Sequence, residues 1–135
     1  MYKPEIRKKI ADEGYTHSLF YDNEYYDDSI IGVDVNGKVV YEFDQMIEEY
    51  VNDNYPDIKD ENSEEYANAV NDAIEWIEYN TIRATPYAGE LAPVIIQYNP
   101  EYYEEIKDKD APQYINMING EPYNIENIVF KICLI

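Results

Sequence analysis

The chain has 135 residues, of which 29 are acidic and 10 basic, for a formal charge of −19; 45% are hydrophobic and 16 are tyrosines. That length is one ordinary domain, and the apolar and aromatic content excludes a disordered acidic tail, which lacks the side chains to bury a core. The charge excludes direct binding to nucleic acid, whose phosphates are gripped by Lys and Arg.

In chain order, PEIRKKIADE (residues 4–13) predicts a short helix that starts at Pro4, places Ile6 and Ile10 on one side and ends at Gly14. The acidic segment FYDNEYYDDS (20–29) follows. IIGVDVNGKVVYEF then reads as a β-hairpin with a type I′ turn at Asn36-Gly37. Its first strand puts Ile31, Val33 and Val35 on one face, and its second alternates Val39 and Tyr41 with Val40. Asp44 is the expected cap of a helix in FDQMIEEYVNDN. Phe43, Met46, Ile47, Tyr50 and Val51 form its inner stripe, and Glu48, Glu49, Asn52 and Asp53 lie outside. After Pro56 and a polar connection, Asn62 and Glu65 form a capping-box-like pair at the start of a longer helix. Tyr66, Ala69, Val70, Ala73, Ile74 and Ile77 face inward there, while Glu64, Asp72, Glu75 and Glu78 face outward.

Pro86 and Gly89 break that helix in TPYAGE. APVIIQY reads as a strand, PEYYEEIKDKD as an acidic helix beginning at Pro100, and IVFKICLI as a final core strand beyond a second Asn-Gly pair at Asn119-Gly120. Helices and strands mix without βαβ alternation, which predicts one α+β domain over residues 1–135. Its expected architecture is a small antiparallel sheet, formed by the hairpin around Asn36-Gly37 and the C-terminal strands, packed against two or three helices.

Residues for catalysis are scarce. His17 and Cys133 are single and lie in unrelated contexts, so a nucleophile with its base is not expected. Neither a phosphate-binding nor a dinucleotide-binding glycine pattern is present. The stretch from Asp22 to Asp28 lacks the glycine and the spaced final glutamate of an EF-hand, and Asp53 to Glu64 fails the same test. The chain is therefore read as a non-enzyme with no catalytic residues, no cofactor and no metal. Cys133, flanked by apolar residues in ICLI, reads as a buried, inert thiol. A single cysteine, no apolar run of ~18–20 residues and no signal-peptide pattern lead to an expectation of a reducing cytoplasm, with no membrane association. Arg83, at a helix end, reads first as a cation complementing the helix dipole and second as part of a small polar site with Tyr87 and Glu90.

The distribution of charge is more telling than its sum. Between Ile10 and Ile106 there are 24 acidic residues and three basic ones, Lys38, Lys59 and Arg83. Carboxylates interleave with tyrosines in FYDNEYYDDS, EYVNDNYPDIKDENSEEY and NPEYYEEIKDKD. Carboxylates three or four apart on a helix lie about 5–6 Å from one another, near the separation of neighbouring phosphates. Cationic side chains built to bind phosphate accept carboxylates through the same charge-assisted hydrogen bonds. Tyrosine adds a flat face for stacking arginine and a hydroxyl that donates. The candidate partner-binding residues are Asp22, Glu24, Tyr25, Tyr26, Asp27 and Asp28 in the first cluster. In the second they are Glu61, Glu64, Glu65, Asp72 and Glu75, and in the third Glu101, Tyr102, Tyr103, Glu104, Glu105 and Asp108.

In this texture the chain resembles the acidic DNA-mimic inhibitors of phages and mobile elements, above all anti-CRISPR proteins that occupy the DNA channel or PAM-reading pocket of Cas9. The resemblance is one of composition, without a family motif, and carries over no contact residues. It implies a cytoplasmic inhibitor of a basic nucleic-acid-binding defence protein in a bacterial host cell, acting as a monomer or homodimer. Arginines that read a PAM are set to grip guanine edges and phosphates, and acidic side chains can compete for them. Two alternatives stand beside it. An immunity protein against a basic nuclease toxin would converge its acids on one compact patch. A non-catalytic acidic adaptor would lose basic partners near physiological salt, where exposed charges are screened. The basic start, Lys3, Arg7, Lys8 and Lys9, packs either on the protein's own acidic surface or on a second copy.

Overall fold

The computed structural model describes residues 5–99 and 114–132. Three α-helices, α1 (Glu5–Asp12), α2 (Phe43–Asn54) and α3 (Glu64–Ile77), accompany six strands: β1 (Ile30–Asp34), β2 (Val39–Glu42), β3 (Val94–Tyr98), β4 (Tyr114–Asn116), β5 (Pro122–Tyr123) and β6 (Ile128–Lys131). The strands form one sheet in the order β5-β4-β3-β2-β1-β6. This is an α+β domain, as the pattern of elements predicts. The β2–β3 pairing is parallel, whereas the four others are antiparallel. The long connection through α2 and α3 is what permits it, since parallel neighbours need a crossover of a dozen or more residues.

Local chemistry explains the element boundaries. Gly14 ends α1 through paired hydrogen bonds, Gly14 N–H to the Ala11 carbonyl (3.0 Å) and Tyr15 N–H to the Ile10 carbonyl (3.2 Å), the Schellman arrangement. The cap of α2 is Glu42 rather than Asp44: its carboxylate accepts from the backbone N–H of Asp44 (3.1 Å) and of Gln45 (2.8 Å). A longer side chain one residue before the helix reaches the same orphan donors. Likewise Ser63, not Asn62, caps α3 by accepting from Tyr66 N–H at 3.1 Å.

The hairpin also differs from expectation. Gly37 N–H donates to the Asp34 carbonyl, and Asp34 N–H donates to the Lys38 carbonyl, each at 2.9 Å. The loop therefore has three residues and its turn is centred on Val35-Asn36, with Gly37 at φ 82° taking the left-handed position. Asp34 dictates this choice. Its carboxylate accepts from the N–H of Asn36 (2.9 Å) and of Lys38 (3.0 Å), fixing the loop from inside.

The main core lies between the sheet and the helices, with Ile6 and Ile10 of α1, Ile30, Val33, Val39, Tyr41 and Ile95 of the sheet, Met46 and Tyr50 of α2, and Ala69, Ala73 and Ile77 of α3. A smaller cluster on the opposite sheet face holds Ile31, Val40, Val94, Ile96, Tyr123 and Ile128. The register of β1 against β2 shifts between Ile30 and Gly32. That irregularity puts Ile30 and Val33 on the helix side and Ile31 on the other, so the strict alternation expected for Ile31, Val33 and Val35 fails. Val35, in the loop, is exposed. Strand β6 pairs with β1 alone, burying Ile128 in the smaller cluster and exposing Val129, so among the described residues it is an edge strand that contributes one face to the core. The helix expected from Pro100 and the thiol of Cys133 lie outside the described residues.

At Gly32, β1 and β6 come closest. A Cβ there would lie 2.6 Å from Ile128 Cγ2 and closer still to the backbone carbonyl oxygen of Phe130, which cannot turn aside. Gly32→Ala is therefore expected to destabilise the protein by about 1–3 kcal/mol or more, read as a lower urea midpoint. Gly120→Ala, with open space around it, controls for a left-handed glycine without a close neighbour.

Candidate functional site

The acidic segment 20–29 owes its shape to a cation far away in sequence. Arg7, between the buried Ile6 and Ile10 on α1, donates from Nε to Asp27 Oδ2 at 2.8 Å and from Nη2 to Asp27 Oδ1 at 2.9 Å. The same Nη2 reaches the Tyr21 carbonyl at 2.8 Å, and the guanidinium carbon lies 4.8 Å above the centre of the Phe20 ring. Burial pushes the Asp27 carboxyl up, opposed by Arg7, while the hydrogen bond to Asp27 raises the arginine. The basic helix thus packs on the chain's own acidic segment.

Residues Glu24–Ser29 form a 3₁₀ helix that turns Tyr26, Asp27 and Ser29 inward. Tyr26 and Asp27 are each 1% exposed, which corrects their assignment to a partner-binding surface. An alternating run of acids and tyrosines on a 3₁₀ helix packed against α2 has to bury one side, and these residues occupy it. Tyr25 is half-buried, with its ring 4.6 Å from that of Tyr26 and 6.4 Å from that of Tyr50. Asp28 is half-buried, whereas Asp22 and Glu24 are exposed.

On the second cluster, Glu61, Glu64, Glu65 and Glu75 are exposed as expected. Asp72 is half-buried and already engaged, its Oδ2 accepting from Tyr50 OH at 3.0 Å and Tyr55 OH at 2.6 Å. Packing of α2 on α3 brings these phenols to it, so Asp72 serves the helix pair and not an outer face. Glu101, Tyr102, Tyr103, Glu104, Glu105 and Asp108 lie outside the described residues.

Phenols take the same part elsewhere. Tyr123 OH donates to Asp34 Oδ2 at 3.2 Å across the sheet. Tyr21 OH and Thr85 Oγ1 are 2.7 Å apart, and burial pushes the Tyr21 phenol up to about 12. Glu49, placed outside by the helical pattern, is buried and accepts from Gln45 Nε2 at 2.9 Å. Neutral donors thus hold several of the buried carboxylates.

Two concavities lie at the C-terminal end of α3. A cleft of about 370 Å³ brings Asp22 and Asn23 of the acidic segment together with Phe20, Tyr21, Tyr26, Trp76 and Asn80, above a floor that includes Ala84 and Ala88. Asn80, with Thr81, belongs to a π-helical turn, Glu78–Ile82, that continues α3; such turns recur at functional sites. The second, about 490 Å³, is lined by Glu75, Glu78, Tyr79 and Arg83. There the Arg83 guanidinium stacks over Tyr79 at 5.1 Å, so the local partners of Arg83 are not Tyr87 and Glu90. Sequence reading missed Arg7, Phe20, Trp76 and Asn80. Only Arg7 carried a signal, as a cation between two inward isoleucines.

Among the described residues, no group of three or more His, Cys, Asp or Glu is placed to hold a metal ion, and no helix is long and apolar enough to cross a membrane.

Two outcomes follow for stability. Arg7→Ala leaves the Asp27 carboxylate buried without its cation and is expected to cost about 3–5 kcal/mol. Arg7→Lys, which cannot form the two-pronged contact, is expected to recover only part of this in urea unfolding. For pH, burial raises Glu42 and Glu49 above the usual 4.5. A carboxyl raised in the folded state binds more protons folded than unfolded, so its contribution is full below the unfolded value and is lost as pH rises through the folded one. Relief of the −19 charge acts in the same direction. Thermal unfolding is expected at a higher Tm near pH ~5.5 than at pH ~7, and an equal or lower Tm would contradict this.

Comparison with protein-family models, curated proteins and solved structures finds no match to this chain, and the function is read from its own surface.

Proposed function

We propose that this protein is an inhibitor that binds a basic nucleic-acid-binding protein in place of nucleic acid, presenting carboxylates where phosphates would lie. One observation carries this reading: from Lys59 to Arg83 there is no basic residue, and within that span Glu61, Glu64, Glu65, Glu75 and Glu78 are all exposed on or beside α3. Helical rise separates Glu64 from Glu75 by about 16 Å, the run of about five phosphates along one strand of a duplex. The core-facing side of the helix is held by Ala69, Ala73 and Ile77, so the acids ride on an ordered backbone and only their side chains have to be fixed on binding.

Acids spread along a helix suit an extended cationic groove better than the compact active site of a nuclease toxin, and this favours the mimic over the immunity reading. The target class is a DNA-binding defence nuclease of a bacterial host, with the PAM-reading arginines of Cas9 as one concrete instance.

The test is displacement of target DNA from guide-loaded Cas9, and from a panel of other DNA-binding defence nucleases, at about 150 mM salt, where surface charges act only over about 8 Å. Displacement at stoichiometric concentration by the native protein is expected. The Glu64→Lys, Glu65→Lys, Glu75→Lys triple variant should be weaker by about tenfold or more. These sites are exposed, so the fold is retained. Failure to displace DNA from every member of the panel overturns the proposal.

A further inference from the structure

We infer that the cleft between the acidic segment and the end of α3 is a guanidinium-binding site, which takes an arginine side chain of the basic partner. This deepens the function proposed above and rests on it for the source of the arginine, but not for the chemistry.

The hydrogen-bonding groups of the cleft are unevenly engaged. Asn23 Nδ2 donates to Tyr25 OH at 2.9 Å, and Asn80 Nδ2 donates to the Trp76 carbonyl at 3.3 Å. Each amide thereby turns a donor to the protein and keeps its carbonyl oxygen. Thr85 Oγ1 donates to the Thr81 carbonyl at 2.7 Å, so in its contact with Tyr21 OH the phenol is the donor. What remains for a ligand includes three acceptors, the two amide oxygens and the exposed carboxylate of Asp22, and that carboxylate is the one charged group among them. Tyr26, 1% exposed and part of the lining, adds a hydroxyl that lies beside Thr81 and Tyr25 without a hydrogen bond of good geometry. An orphaned polar atom in a buried position is costly unless a ligand or water meets it.

Among the described residues no basic side chain lines the cleft, and the neighbouring Arg7 is taken up by Asp27 and the Tyr21 carbonyl, so the open carboxylate of Asp22 disfavours an anion. The ligand has to be cationic and rich in donors. It also meets aromatic side chains, above all Trp76, which is 44% exposed, whereas the Phe20 ring already carries Arg7. A guanidinium has five N–H donors, no acceptor and a planar face that stacks on rings, whereas an ammonium is compact and strongly hydrated. The molecule already uses this pairing twice, with Arg7 over Phe20 and Arg83 over Tyr79.

The experiment is an NMR titration of the whole protein with N-acetyl-L-arginine methylamide, run beside its lysine and citrulline counterparts, and needs no partner. Saturable shifts are expected at the Trp76 indole and the amides of residues 80–85, with arginine bound more tightly than lysine or neutral citrulline. Asp22→Asn, at an exposed position, should abolish the preference for arginine over citrulline. Trp76→Ala should weaken arginine binding about two- to fivefold, the loss of an exposed cation–π contact. Shifts that are equal for lysine and scattered over the acidic surface overturn the site, as does the absence of saturation. If arginine binds here while no nuclease releases its DNA, the inhibitor reading falls and the site stands. If DNA is displaced equally well by Asp22→Asn and arginine does not bind, the site falls alone.

Discussion

The contact between Arg7 and Asp27 fixes the relation between the first helix and everything that follows it. A carboxylate that is 1% exposed survives in a folded protein only with a partner, since desolvating an ion costs several kcal/mol. Arg7 supplies a two-pronged partner, and the second N–H of its Nη2 ties down the Tyr21 backbone. With those bonds in place, the segment 20–29 lies against α1, its 3₁₀ turn packs on α2, and Tyr26 enters the core. The buried pair specifies position more than it adds stability, for an apolar pair of equal volume could hold the same elements together.

A chain so poor in cations faces this problem repeatedly, and elsewhere it uses neutral donors. Asp34 is met by two backbone N–H groups and Tyr123, Asp72 by Tyr50 and Tyr55, Glu42 by the first turn of α2, and Glu49 by Gln45. Hydrogen bonds to a charged acceptor are worth about 1.5–3 kcal/mol each, which offsets part of the cost of taking these carboxylates out of water. Several of the tyrosines are thus explained from within the molecule. Their alternation with acids serves first to satisfy those acids and only then to decorate a surface.

This division sharpens the meaning of the remaining charge. The acids with internal partners concern the fold, and those without them concern whatever approaches from outside. Glu61, Glu64, Glu65, Glu75 and Glu78, on or beside α3, belong to the latter set, as does Asp22 at the cleft. In the proposed reading, the carboxylates along α3 would supply long-range attraction and the cleft at its end a short-range preference for arginine over lysine.

Much of the fold is legible in the sequence because it is written in local periodicities. The inner stripes of α2 and α3, the hairpin, the glycine that ends α1 and the mixed α+β character follow from residues within a few positions of one another. The caps at Glu42 and Ser63 shift by one or two positions from expectation, since neighbouring polar residues compete for the same orphan N–H groups. The candidate surface was legible only as composition. An exposed Glu64 and a half-buried, phenol-bound Asp72 look alike in a helical pattern, as do an exposed Asp22 and a buried Asp27. By itself the sequence determined how much negative charge the protein carries and which helices bear it. Only the tertiary structure decided which carboxylates face solvent, because that depends on donors brought from 20 or more residues away, Arg7 to Asp27 and Tyr50 to Asp72, and no local pattern encodes such a meeting.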